Sequence, residues 1–381
     1  MADNNCNDCL PQSVIIQSDV MLEDIGELSG TGCLMILVND PNCGPNGTAS
    51  PVNPNSLSMT YNQDEIDEVL NDWDASCAVT ASAIAALSQR PRVDQIKIGY
   101  YDPADVSTLS ALAECNKCSA FVTPELRDSP FQLDIAAWAE ANRCKYGADV
   151  CDPLHKQADT NTIGAQLTAA GYEFTEWFYH DDCDTQKASA VLSNSLGHSF
   201  ANGENYSQFT QEYVGVPPIS ITVTELENLT GFSSSTGLDT NAVNHGNVCA
   251  CINGCGGARL FWGLTASGDF FDNRHYTCDL EDRINAEMCN ALDSGILATV
   301  GGYQILANSI RNLLRTDQLA GLIAGDIGNE DSQGEGYTVS IPTPAQAGQA
   351  LRSNRIAPCV QWQARRDQPV HVACNNGLIT Q

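Results

Sequence analysis

Between Val93 and Leu196 short apolar runs alternate with helix-period segments, and this alternation constrains the fold more than any other feature of the chain. Val93 to Tyr101 has strand-like alternation, while Ala120 to Val122 and Phe174 to Tyr179 read as buried strands. Helices are expected over Val106 to Cys115, Leu133 to Lys145, Thr162 to Ala170 and Thr185 to Leu196. Such alternation predicts an α/β domain whose sheet carries helices on its faces. The pattern begins earlier, with a buried strand from Thr31 to Val38 and a loop from Asn39 to Pro54 that holds four prolines and two glycines. An acidic helix over Gln63 to Trp73 and an alanine-rich one over Ser76 to Leu87 follow, the second stopped near Arg90-Pro91.

Pro217-Pro218 marks a domain boundary, with a strand expected over Ile219 to Val223 and a polar loop from Ser233 to Gly246. The stretch from Cys249 to Leu292 then organises the second half. Gly254, Gly256 and Gly257 permit a tight path, Leu260 to Trp262 reads as a buried strand, and Ala266 to Asp269 reads as a turn into Phe270-Phe271. Leu280, Ile284, Met288 and Leu292 form one stripe of a helix begun by Asp279 and stopped before Gly295. A second helix covers Tyr303 to Leu314. Strands are expected around Tyr337 to Ile341, Val360 to Ala364 and Val370 to Cys374, with a helix over Ala345 to Arg352. Residues 1 to 24 read as an arm whose β-prone run, Ser13 to Gln17, suits strand addition to another subunit or an edge of its own sheet. Residues 371 to 381 suggest a second arm.

Charge is uneven along the 381 residues. Residues 1 to 250 carry 34 acidic and 9 basic side chains, and the remainder 13 and 9, for a net charge of −29. Such a field repels nucleic acid and anionic membrane, so direct binding to either is not expected. The near-neutral final third is better suited to packing against partners. No run approaches the ~18 apolar residues of a membrane span, and the opening residues lack the basic and apolar regions of a secretory signal.

Seventeen cysteines are far more than a cytoplasmic protein normally carries, and an odd number cannot all pair within one chain. Disulfides persist on secreted proteins and virion surfaces. The expectation is a particle component assembled in a host cytoplasm and oxidised after release. Cys6-Asn-Asp-Cys9 and Cys115-Asn-Lys-Cys118 have spacings that suit zinc or thiol redox work, but two pairs more than a hundred residues apart favour disulfides. Cys249, Cys251 and Cys255 cannot all pair with one another. Cys278 and Cys289, 11 residues apart on one predicted helix, lie about 16 Å apart along its axis, so each needs a partner elsewhere.

Catalytic patterns are missing. His180-Asp-Asp-Cys-Asp184 reads as a surface loop, since adjacent side chains converge poorly on a metal, and Asp64 to Asp74 lacks the glycine and terminal glutamate of an EF-hand. Asn194-Ser-Leu-Gly-His198 offers no nucleophile elbow, and neither a P-loop nor a dinucleotide fingerprint occurs. No enzyme, metal or cofactor is expected.

Phe261-Trp-Gly-Leu-Thr-Ala-Ser-Gly-Asp-Phe-Phe-Asp272 with Asp279-Leu-Glu-Asp-Arg-Ile284 resembles the core of contractile phage tail sheath proteins. Leu87 to Gly99, Asp134 to Ala141 and Val223 to Leu229 resemble further landmarks of that family in the same order, and the likeness spans the chain from about Val14 onward. The resemblance implies an outer acidic α/β domain (residues 25 to 215), an inner mixed α/β domain facing a tube (216 to 370), and terminal strand arms that link subunits. It also implies sixfold rings stacked helically, with tail tube, baseplate and terminator proteins as partners and no cofactor. Arg311, Arg315, Arg352 and Arg355 are candidates for tube contact. Cys6, Cys9, Cys249, Cys251, Cys255, Cys278, Cys289 and Cys374 are candidates for disulfides between subunits. Another tail protein, of tube or baseplate, is the alternative. A disulfide-rich exported hydrolase is a third reading, with sequons at Asn46, Asn205 and Asn228 in its favour and the missing secretory signal against it.

Overall fold

The protein is described by a computed structural model covering residues 32–39, 43, 59–62, 64–103, 105, 108–110, 112, 118–233, 237–239, 241–251, 258–325, 336–346 and 357–366. The first half runs β1 (Cys33–Val38), β2 (Met59–Asn62), α1 (Ile66–Asp72), α2 (Ala78–Leu87), β3 (Gln95–Tyr100), β4 (Ala120–Val122), α3 (Phe131–Ala141), β5 (Lys145–Val150), α4 (Ile163–Ala170), β6 (Thr175–Tyr179) and α5 (Lys187–Leu196). Then come α6 (Val223–Thr230), a small hairpin of β7 (Phe232–Ser233) and β8 (Gly237–Leu238), β9 (Asn247–Cys251), β10 (Ala258–Phe261), α7 (Phe271–Asp293), α8 (Val300–Leu319), β11 (Tyr337–Ser340) and β12 (Gln361–Ala364).

Eight strands form one sheet in the order β10-β9-β6-β5-β4-β1-β3-β2. Its interior pairs are parallel, and the edge strands β2 and β10 run antiparallel to their neighbours. Alternate residues of β1 serve opposite faces: Leu34, Ile36 and Val38 join α2 and α5 in one core, while Met35 and Leu37 join α3 and α4 in the other. A strand covered on both faces needs an unbroken apolar run, which is what Cys33–Val38 supplies. Gly147 in β5 lets α5 approach closely, since a Cβ there would meet Ala188 Cβ at 2.9 Å and Leu192 Cδ1 at 2.7 Å. Asp149, buried one turn of the pleat further on, accepts the Ala188 amide at 3.0 Å in the first turn of α5.

Three disulfides staple this region: Cys33–Cys118, Cys43–Cys77 and Cys151–Cys183, with Cα atoms 4.8, 5.9 and 5.4 Å apart. One side chain ties the residues just past β10 to the sheet. Asn247 Oδ1 accepts the amides of Gly263 and Leu264 at 2.8 and 2.7 Å, and its Nδ2 donates to the carbonyls of Trp177 and Leu264 at 3.2 and 2.7 Å.

Several sequence expectations need correction. Lys145 begins a strand, not the end of a helix; α3 stops at Ala141, and β5 is buried along its whole length despite Lys145, Gly147 and Asp149. Val223 starts α6, where Thr222 and Glu225 form a reciprocal cap, so Ile219 to Val223 is no strand; Ile219 makes only an isolated bridge to Ala250. The Leu280 stripe is the second half of α7, which starts at Phe271 rather than Asp279 because Phe271, His275 and Tyr276 continue the buried face. Strands β2 and β9 were not foreseen, nor was the β7–β8 hairpin, whose second strand lies within the polar loop expected from Ser233 to Gly246. The helices expected at Val106 to Cys115 and Ala345 to Arg352 fall mostly outside the described residues, and both arms lie wholly outside them. Strands β9 and β10 follow residue 216, so the large sheet draws on chain from both sides of that position.

Candidate functional site: the helical module

Past β10 the chain builds a unit with its own core. Tyr276, Leu280 and Ile284 of α7 pack against Ile310 and Leu314 of α8, with Leu322, Ile323 and Tyr337 closing one side and Phe200 and Tyr206 reaching in from the sheet region. Helix α7 ends at Asp293, and α8 opens with Thr299, whose hydroxyl accepts the Gly302 amide at 3.1 Å. Beyond α8, β11 and β12 pair antiparallel from Tyr337↔Ala364 to Ser340↔Gln361. Among the described residues this pair has no third named strand; Ile323 bridges Arg366 just past β12, and the Ala324 amide donates to the Arg365 carbonyl at 2.8 Å.

A charged network crosses the module's core. Arg283 donates through Nη1 and Nη2 to the two carboxylate oxygens of Asp317 at 2.8 Å each, and through Nε to Asp279 at 2.6 Å. Tyr276 OH donates to Asp317 Oδ2 at 2.8 Å. Asp317 is 2% exposed, and the planar fork facing it satisfies both its oxygens. Burial raises the Asp279 carboxyl above its ordinary range, and Arg283 opposes the rise.

The outward face of α8 carries no acidic side chain. Val300, Gln304, Ile305, Asn308, Asn312, Arg315 and Leu319 lie on it, exposed, and no acidic residue occurs from Ser294 to Thr316. Leu297 in the preceding turn is 70% exposed and Leu319 81%. Of the candidates for tube contact, Arg315 is on this face. Arg311 is tied back, donating to Asn308 Oδ1 at 2.7 Å and to the Val339 carbonyl at 2.9 Å. Arg352 and Arg355 lie outside the described residues.

The cysteine candidates are dispersed. Cys249 and Cys251 sit two apart on β9, the first buried and the second exposed. Burial raises the Cys249 thiol, with Lys187 opposing, and raises Cys278, with Lys145 opposing. Cys278 and Cys289 are half-buried on α7. Cys6, Cys9, Cys255 and Cys374 lie outside the described residues. Sequence reasoning passed over Cys359, which is exposed just before β12, and named none of the three bonded pairs. Those pairs join residues 85, 34 and 32 apart, and no spacing rule selects them.

The chemical motifs serve as structure. His180 accepts the Asp182 amide at Nδ1, 2.9 Å, and donates from Nε2 to the Pro217 carbonyl at 3.0 Å, while Cys183 of the same loop is disulfide-bonded. Ser195 Oγ receives Gln208 Nε2 at 3.0 Å, and His198 stacks on Tyr206 with ring centroids 4.3 Å apart. Among the described residues no three His, Cys, Asp or Glu side chains converge to hold a metal ion, and no helix is long and apolar enough to cross a membrane.

No protein-family profile and no curated protein matches the sequence. Solved structures do match its fold. A chain of the sixfold-symmetrised anti-feeding prophage baseplate aligns with a TM-score of 0.63 and 11% identity over 93% of this chain and 94% of that one. The contracted sheath complex of PVC, an extracellular contractile injection system, aligns with a TM-score of 0.62 and 12% identity over 91% and 92%. The contracted helical sheath of the anti-feeding prophage gives 0.61 and 13% over 92% and 93%. The chain therefore shares its whole fold with chains of contractile injection assemblies.

Proposed function

We propose that the protein is a contractile sheath subunit, non-catalytic, that polymerises in stacked sixfold rings around a tail tube and shortens to drive the tube through a host envelope. The observation that carries this reading is the end-to-end likeness to two contracted sheaths. The order of motifs read in the sequence supports the phage tail as the particle. The work in such an assembly is a change between two packings of the same surfaces. The two-stranded β11–β12 pair, with no third named strand among the described residues, suits addition of a strand from a neighbour, which fits the role assigned to residues 1 to 24 and 371 to 381. The acidic region from 25 to 215 then faces outward, and the inner region from 216 to 370 presents the acid-free face of α8, with Arg315, to the tube. Covalent links between copies are part of the proposal. Cys251, exposed at the end of β9, is the best placed of the described candidates.

The likeness to a baseplate chain favours a second reading, a subunit of one terminal ring. Electron microscopy of the purified particle separates them. A sheath subunit extends along the tail as a helical lattice that becomes shorter and wider on contraction, whereas a ring subunit stays at one end. Localisation of the chain to a single ring, or to a cylinder of constant diameter, would overturn the sheath assignment. Non-reducing electrophoresis of the same particle tests the links: multimers should collapse to one band of 40.8 kDa on reduction, and a monomer in both lanes would remove the crosslinks alone.

A further inference from the structure

Two arginines hold the helical module, and they are bound in opposite ways. Arg283 spends its fork on two carboxylates with three short hydrogen bonds. Arg366 is more deeply placed, its side chain 10% exposed, yet holds less. Its Nη1 donates to the backbone oxygen of Asp272, its Nη2 stands 3.6 Å from the Asp272 carboxylate, and among the described residues Nε and Nη2 have no hydrogen-bond partner. The guanidinium lies 4.9 Å from the ring centroid of Tyr276 and 5.5 Å from that of Phe200.

Position gives this loose fit a meaning. Arg366 follows β12 and bridges Ile323, so it belongs to the C-terminal strand pair. Asp272 is in the first turn of α7, where Phe271 is still packed in the sheet's own core, and Phe200 lies in the turn after α5. One side chain thus joins three segments that are distant in sequence. Among the described residues it makes the one ion pair between the C-terminal strands and the rest of the protein.

We propose that Arg366 is a latch: it plugs the C-terminal strand pair into the root of α7, and the pair comes away from the sheet region as a unit when its hold on Asp272 is lost, without unfolding of the sheet. The charged and titratable groups around the latch are Asp269 and Asp272 at the entrance of α7, His275 and Tyr276 within it, Tyr206 and His198 after α5, Glu176 on β6 and Lys145 on β5. Burial pushes the Asp272 carboxyl up to about 6, with Arg366 pulling it back. The folded state therefore holds this proton more tightly than the unfolded chain, and above about 6 the ionised form is favoured first by the facing guanidinium and then by the Asn273 amide, 3.1 Å from its Oδ1. Without Arg366 the lone carboxylate becomes costlier as pH rises, so loss of the latch should be felt more at pH 8 than at pH 5.

Hydrogen exchange of the full-length chain tests this. Arg366→Met should speed exchange in β12 and the first turns of α7 about tenfold at pH 8 and clearly less at pH 5, each relative to wild type at the same pH, with β5 and β6 unchanged. Adding Asp272→Asn should restore much of the protection, because both members of the pair are then neutral. Equal acceleration at both pH values, acceleration that includes β5 and β6, or no rescue by the double variant would overturn the proposal. Should Arg366→Met fail to fold, Asp272→Asn alone must loosen the same peptides, and its failure to do so counts equally against the latch. The inference concerns the joint and stands apart from polymerisation, so its failure would leave the sheath reading untouched.

Discussion

The sheet region and the helical module solve the problem of staying folded by different means. The sheet is covered on both faces, its largest side chains, Trp177, Tyr146, Tyr179 and Phe121, are wholly buried, and three disulfides tie its strands and loops together. The module has one smaller core and, among the described residues, no disulfide; it relies on Arg283, Asp317 and Tyr276 inside and on Arg366 at its edge. Covalent and apolar restraint resists any rearrangement. Ion pairs and one guanidinium are restraints that can part and re-form without a bond being broken.

The largest effect that could break this contrast comes from reduction. In the chain-entropy picture each intrachain disulfide contributes roughly 3–5 kcal/mol, so complete reduction should remove on the order of 10 kcal/mol. Thermal unfolding of the reduced subunit should begin on the order of 10 °C lower. At 25 °C the first amides to gain exchange should lie in β1, α2 and the loop carrying Cys183, while α7 and α8 keep their protection. If the helical module opened first under reductant, the assignment of rigidity to the sheet would be wrong.

A smaller effect probes the other side. Asp317→Ala leaves Arg283 with only Asp279 and strands Tyr276 OH, and breaking a buried pair costs about 3–5 kcal/mol. Exchange should rise in α7, α8 and β11 with the sheet strands unaffected. Arg283→Met with Asp317→Leu should recover stability, since matched apolar groups avoid the penalty of one uncompensated charge. A uniform loss across sheet and module would mean that the two unfold as one unit.

This division was only partly visible in the sequence. The strand β1 was legible from its unbroken apolar run, α2 from its alanine content and the stop at Arg90-Pro91, and α4 and α5 from their place between strands. The strand β5 was hidden because its polar residues are satisfied by tertiary partners: Asp149 caps α5, and Gly147 is a contact point rather than a turn. Helix α7 began two turns before its aliphatic stripe because aromatic and histidine side chains carry the buried face there. Arg311 and Arg315 looked alike on a helical projection, yet the carbonyl of Val339, 28 residues away, claims one and leaves the other exposed. Pairing of cysteines and the seating of Arg366 depend on which segments meet in space, and local sequence carries no record of that.

The finest test concerns the entrance to α8. Thr299 accepts the Gly302 amide in a turn flanked by the exposed Leu297 and Val300, so its hydroxyl is the local tie at the tip of the α7–α8 hairpin. Thr299→Ala should cost about 1 kcal/mol, and Thr299→Ser much less. The loss should appear as faster exchange in the first turn of α8 alone, because Ile310 and Leu314 anchor the rest of the helix in the module core and Tyr303 and Leu306 are buried along it. Should the whole hairpin loosen, the tip would be shown to depend on its cap more than on packing, and the contrast would have to be redrawn between the hairpin's tip and its base. A change confined to the first turn would place the freedom of the module where Arg366 sits, at its joint with the sheet, and leave the α8 face a stiff surface able to transmit force to whatever it contacts.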